Sequence, residues 1–271
     1  MRLRNVRRIL GLGAAIAIAV GAFSQGAYWE SKTSGGPIQG ERFSTMYYSP
    51  KMFKHVPKGD DEQTIIVRLD KEVMYTLHPK DKTYSEMTFA ELEKFMQQMT
   101  SRSDSKMAAL QEKMKNMPEE QRKMMEKMMG NRMPGKAKES VIEVTNAGEK
   151  KSISGYSCTK FVVTQDGNEM MQMWTTKEVK IFDAMRKDFE EYSKRMASMS
   201  PMMGKGYLDA MRKIEGFPIE TQMGDIVTVI TKVEKRSNPG SEFEVPAGYT
   251  KVKSKLAEEA EKMEKGEKEE K

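Results

Sequence analysis

Residues that carry chemistry are scarce in this chain. Of 271 residues one is cysteine and two are histidine. The single cysteine, Cys158, excludes an intrachain disulfide. It reads as a small buried hydrophobe. His55 and His78 stand apart, each beside a proline-containing turn. The sequence holds no Gly-x-Ser-x-Gly elbow, no His-Glu-x-x-His, no paired-cysteine zinc pattern and no phosphate-cradling glycine loop. Gly155-Tyr156-Ser157 lacks the second glycine that an elbow needs. No basic patch interleaved with aromatics is present, which disfavours nucleic acid as a partner. The chain is therefore expected to be non-catalytic and to need no cofactor.

Long apolar runs are also missing, with one exception at the start. Arg2, Arg4, Arg7 and Arg8 precede an apolar stretch over residues 9–20, and Ala22-Phe23-Ser24 follows with small residues. This is the layout of a signal peptide, expected over residues 1–24 with cleavage before Gln25. The stretch is shorter than the roughly 20 apolar residues of a membrane span. Removing it lowers the formal net charge of +6 by four. The high isoelectric point is thus partly a property of the leader, and the mature protein is expected to be periplasmic or secreted.

Methionine is abundant where other signals thin out. Eleven methionines fall between Met87 and Met133. Before that block the chain alternates in the manner of short strands, over 41–48, 51–56, 63–70, 73–77 and 83–84, with turn residues between them. Thr88-Phe89-Ala90-Glu91 is a capping box. Phe89, Leu92, Met96 and Met99 then share one helical face. Residues 100–105 are polar and are expected to interrupt that stripe before Met107, Leu110, Met114 and Met117 resume it. Pro118 opens a further helix carrying Met124, Met125, Met128 and Met129. Strand patterns return over 140–145, 159–164 and 169–176, with a turn at 146–150 and an Asp166-Gly167 hairpin. A second helical excursion sets Phe182, Met185, Phe189, Tyr192, Met196 and Met199 on one face. A short helix closed by Gly216 follows, then strands over 218–222 and 225–233. Phe243 to Tyr249 is expected to end the folded part, leaving 253–271 as a charged, solvated tail, disordered or helical.

Close-spaced hairpins argue an antiparallel sheet with one face to bury, and each helix has one apolar stripe to bury. The expected fold class is α+β: a curved antiparallel sheet with Met-rich helices over its concave face. One domain is expected over 25–252, with helical insertions at about 88–133 and 180–214.

Certain of these residues carry a resemblance. The run Ile153-Ser154-Gly155-Tyr156-Ser157-Cys158-Thr159-Lys160-Phe161, then Trp174-Thr175-Thr176, then Phe243-Glu244-Val245-Pro246-Ala247-Gly248-Tyr249, resembles an exported bacterial family known as domain of unknown function 4412. Tyr47-Tyr48-Ser49-Pro50-Lys51-Met52-Phe53 and the stretch from Ile66 to Tyr75 resemble the opening of the sheet in LolA/LolB-type lipoprotein carriers. The resemblance implies an unclosed antiparallel half-barrel with helices over a concavity, which holds acyl chains in those carriers.

Two chemistries compete for the methionines. As adaptable thioethers they line apolar surfaces; as soft ligands they suit Cu(I). An apolar groove is expected at Phe89, Leu92, Met96, Met99, Phe182, Met185, Phe189 and Tyr192, although a stripe of this kind also serves as plain helix–sheet core. The expected partner is lipid or a hydrophobic polypeptide, lipidated or unfolded, with peripheral contact to envelope membranes as a further option. The copper alternative falls on Met124, Met125, Met128 and Met129, whose segment has no aromatic or leucine partner. Oligomeric state is left open.

Overall fold

Every described strand pairs with at least one neighbour in a single sheet. The computed structural model describes residues 26–59, 62–129, 141–197 and 205–269. A first meander comprises β1 (Ala27–Gly35), β2 (Ile38–Ser49), β3 (Met52–Pro57), β4 (Thr64–Arg68), β5 (Val73–His78) and β6 (Thr83–Thr88), each antiparallel to the next. A second comprises β7 (Ile142–Ile153), β8 (Tyr156–Gln165), β9 (Asn168–Thr176), β10 (Phe217–Met223) and β11 (Ile226–Lys235). Antiparallel pairing of β1 with β11 joins the two meanders. The short β12 (Thr250–Lys251) adds to β6 in parallel. The described strands thus form one curved, twelve-stranded sheet that runs from β12 to β7 without closing.

Helices interrupt the meanders at two places. Helices α1 (Phe89–Lys115) and α2 (Glu119–Met129) lie between β6 and β7, and α3 (Phe182–Ala197) and α4 (Lys205–Met211) between β9 and β10. Helix α5 (Lys255–Glu269) follows β12 and touches α1. The fold is therefore α+β. The leader over 1–24 lies outside the described residues.

Local chemistry accounts for most boundaries. The α1 capping box is formed: Thr88 Oγ1 accepts the Glu91 N–H at 3.1 Å, and a Glu91 carboxylate oxygen accepts the Thr88 N–H at 2.8 Å. Two-residue hairpins at Ser154-Gly155 and Asp166-Gly167 hold both residues at positive φ, the geometry that matches strand twist and that glycine tolerates best.

The structure meets some of the expectations and corrects others. Residues 100–105 interrupt the apolar face as expected, while the backbone ladder of helix α1 runs unbroken through them; the Ser105 hydroxyl bonds back to the Ser101 carbonyl. The turn at 146–150 is a bulge inside β7: Asn146 accepts the Gly148 N–H as a turn residue would, but the strand continues to Ile153. Strand β1, unforeseen, buries Ala27, Trp29 and Ser31 on alternate positions. The sheet continues past Tyr249 into β12, and the tail takes the helical of its two expected forms as α5. A further correction concerns faces. Both sides of the first meander are covered near its middle, since Phe243, wholly buried, packs with Ile66 and Leu77, while Val67 belongs to the main core. Burial on both sides explains the uninterrupted apolar run Ile65-Ile66-Val67 in β4.

The main core spans both meanders. Trp29, Tyr48, Phe53 and Leu69 from the first meet Trp174, Phe217, Ile219 and Ile230 from the second. Helix α3 sits on it through ring contacts: Phe189 lies 5.0 Å from Phe53, and Phe182 lies 5.5 Å from Phe217. Buried aromatic side chains of this size contribute ~1.5–3 kcal/mol each. Phe89 and Leu92 bring the first turns of α1 into the same cluster. On the far face Arg68 grips Asp70 through two bonds of 2.8 and 2.6 Å and also pairs with Glu244. Arg68 holds the Asp70 carboxyl below its ordinary range, and Lys71, followed by Arg68, does the same for Glu244.

Candidate functional site

Helix α3 is built to be read from one side. Its stripe of Phe182, Met185, Phe189, Tyr192 and Met196 faces the sheet, Asp183 sits in the first turn, and Lys194 and Arg195 sit in the last, each matching the helix dipole. Buried Asp188 fixes its rotation. One of its carboxylate oxygens accepts the Tyr48 hydroxyl at 2.9 Å and the Lys51 backbone N–H at 2.8 Å. Burial, reinforced by that hydrogen bond, raises the Tyr48 phenol above its ordinary pKa.

Beside α3 a second wall rises. Helix α4 and the turn that follows it are tied to α3 by Arg186, whose guanidinium donates to the Ile214 carbonyl at 3.0 Å. The same turn is tied to β9 by the Thr175 hydroxyl, which donates to the Glu215 carbonyl at 2.6 Å. Gly216 then passes directly over β9. A Cβ there would lie 2.5 Å from the Thr176 carbonyl oxygen, and its φ is +87°, so glycine is required twice over.

Between these walls and the sheet lies an apolar cavity of about 320 Å³. Trp29, Phe217 and Ile230 form its floor; Phe182, Phe189 and Leu208 are among its sides. Charged groups stand at its edge: Arg186, Lys194 and Arg212, against one carboxylate, Glu190. A larger cavity of about 630 Å³ lies between β5, β6 and the chain leading into α5. Met74, Met87, Leu92, Val252 and Leu256 line it together with Thr76, His78, Asp81 and Ser85, so its lining is mixed.

The eight expected groove residues divide between these places. Phe182 and Phe189 line the smaller, apolar cavity, and Leu92 lines the larger, mixed one. Phe89, Met185 and Tyr192 are packed into the core, with Met185 wholly buried. Met96 packs against that core and borders a shallow polar depression with Gln97 and Thr100. Met99 is 40% exposed and belongs to none of the core clusters among the described residues. Sequence reasoning missed Trp29, Leu208, Ile214, Phe217 and Ile230. Their signals were ordinary strand and helix apolar positions, and only the tertiary fold brings them together. Of the four methionines considered for copper, Met124 is 69% exposed, while the side chains of Met125, Met128 and Met129 lie outside the described residues.

Other reactive groups are quiet. Cys158 is wholly buried, and burial pushes its thiol up. Burial pushes the His55 imidazole down. Among the described residues no three His, Cys, Asp or Glu are grouped so as to hold a metal, and no helix is long and apolar enough to cross a membrane.

No curated protein matches the chain. A solved structure described as "Structure of PNGF-II in C2 space group" is similar at a TM-score of 0.37 and 10% identity, over 87% of this chain and 32% of that one. This chain therefore spans less than two thirds of that protein's length. A family match runs over residues 93–249 and includes every residue lining the apolar cavity except Trp29. The chain belongs to the family described as Domain of unknown function (DUF4412).

Proposed function

We propose that this protein is an exported, non-catalytic binder of an apolar moiety, a lipid or a lipidated or unfolded polypeptide. The observation that carries the reading is the apolar cavity between α3, α4 and the sheet, whose volume falls within the ~300–1,000 Å³ typical of ligand sites. Its lining is mostly aliphatic and aromatic, with a few polar groups at the edge, the usual division between affinity and orientation. In this reading the open sheet is a LolA-like half-barrel, with α3 and the Met-rich α1 across its concave side. The leader would deliver it to the periplasm or beyond. Binding is non-covalent, worth ~25 cal/mol per Å² of apolar ligand surface removed from water. Met173 and Met211 in the lining would broaden what fits, because unbranched thioethers repack at little cost.

The test is direct. Native protein purified from membrane extract should carry lipid detectable by mass spectrometry, and the stripped protein should take up a hydrocarbon-chain fluorescent probe. Protein that emerges clean and has no affinity for such probes would overturn the reading.

A further inference from the structure

The edge of the apolar cavity is not electrically neutral, and its charges are not equally free. Arg212 is engaged by Asp209 at 2.8 Å and faces Glu190 at 3.8 Å. Glu215, on the neighbouring turn, is taken by Lys177. Two cations remain without a carboxylate at ion-pair distance among the described residues, Arg186 and Lys194. Lys194 is exposed near the end of α3, a full ~12 Å of helical rise beyond Arg186. Arg186 is different. It is half-buried, its guanidinium lies 5.4 Å from the Phe182 ring, and one N–H is fixed on the Ile214 carbonyl. Those two contacts orient the planar fork at the cavity edge and leave its other N–H donors for an acceptor.

We propose that the cavity selects single-chain amphiphiles with an anionic head, seated with the chain against Trp29, Phe189 and Phe217 and the head on Arg186. This rests on the apolar-ligand reading and narrows it. A guanidinium fork held in place suits a carboxylate or phosphate better than a hydroxyl, because both oxygens of the anion are met at once. The volume sits at the low end of ligand cavities, so it takes one hydrocarbon chain and not two. Lys194 adds long-range attraction for the same sign of charge at the outer end of the helix.

The experiment compares a saturated fatty acid with the fatty alcohol of the same chain length, each competing against a neutral hydrocarbon-chain probe. The acid should bind roughly ten-fold tighter than the alcohol, about the discrimination one charge-assisted contact supplies. Arg186→Gln should erase that preference, whatever the loss of its tie to Ile214 does to alcohol affinity, while Arg186→Lys should keep part of it. Equal affinity for acid and alcohol in the wild-type protein overturns the head-group assignment and leaves apolar binding standing. A preference untouched by Arg186→Gln overturns the placement at Arg186. Should the variant lose the alcohol too, the unaltered protein decides: a preference that survives acidification through the carboxylic acid's own titration overturns the proposal. Failure of the probe itself to bind overturns the apolar-ligand reading and this inference with it.

Discussion

Asp188 shows how much one side chain decides. It is one of 40 acidic residues, and nothing in its sequence neighbourhood sets it apart from Asp183 or Glu190. Folding places it in a buried corner where a single carboxylate oxygen takes both the Tyr48 hydroxyl and the Lys51 N–H. The Lys51 ammonium stands 3.4 Å from the other oxygen. Lys51 is at positive φ, in the turn between β2 and β3, so its N–H has no place in the ladder. Asp188→Ala would strand one buried and one partly buried donor, at a cost of ~1–3 kcal/mol each with the lower end for the second. The expected loss is therefore ~2–4 kcal/mol, read from urea denaturation. Asp188→Asn keeps an oxygen where both donors aim and gives up only the attraction to a partly exposed lysine. It should lose well under half as much. Equal losses for the two variants would mean that charge, not hydrogen bonding, holds α3 in place.

At the scale of the element, the wall formed by α4 and its exit turn depends on two glycines with opposite expectations. Gly216→Ala forces a residue with a Cβ into the left-handed region, which costs ~1–2 kcal/mol, and presses that Cβ onto the Thr176 carbonyl. The turn must move, and with it Ile214 and the carbonyl that holds Arg186. The variant should lose at least ~2 kcal/mol of stability and bind the hydrocarbon probe more weakly. Gly206→Ala, inside α4 with open space around it, should be neutral or stabilising by up to ~1 kcal/mol. A Gly216→Ala protein as stable and as competent as the Gly206→Ala protein would remove the case for a rigid wall. Elements were the level at which the sequence was most legible. The capping box at Thr88, the Asp166-Gly167 hairpin and the α3 stripe are local patterns with local causes, and each stands where its residues put it. What failed was non-local. Strand β1 alternates too modestly to stand out, because its partners β2 and β11 supply half the evidence that it is a strand. The bulge at 146–150 has true turn chemistry and differs from a turn only in what pairs across it. Of the cavity, Phe182 and Phe189 were legible from their helix, whereas Trp29 comes from β1 and Phe217 and Ile230 from the β10–β11 pair far along the chain. No periodicity announces that they converge.

At the scale of the whole molecule the question is whether two meanders make one cooperative unit. Chain order suggests two, since each meander is internally antiparallel and could pair alone. Packing argues for one. Trp29 on β1 lies 5.7 Å from Phe217 on β10, and the main core draws on both meanders together with α1 and α3. A buried polar latch reinforces the junction. The Asn238 side-chain amide donates to the carbonyls of Ala27 and Tyr48, each at 2.8 Å, and the Ser49 hydroxyl donates to the Asn238 carbonyl. Separating the halves would expose this shared core and leave those buried groups unpaired, so a half-folded state has little to hold it together. Unfolding of residues 26–252 should therefore be a single transition, and the two tryptophans make it testable. Trp29 reports on the junction and Trp174 on β9 in the second meander. Single-tryptophan proteins made by Trp29→Phe and Trp174→Phe should each unfold in urea with one midpoint that coincides with the loss of far-ultraviolet dichroism in the same protein. Fluorescence and dichroism midpoints that separate within either protein would show that the meanders are distinct folding units held side by side. The cavity, which takes Trp29 from one meander and the rest of its floor from the other, would then open whenever they part.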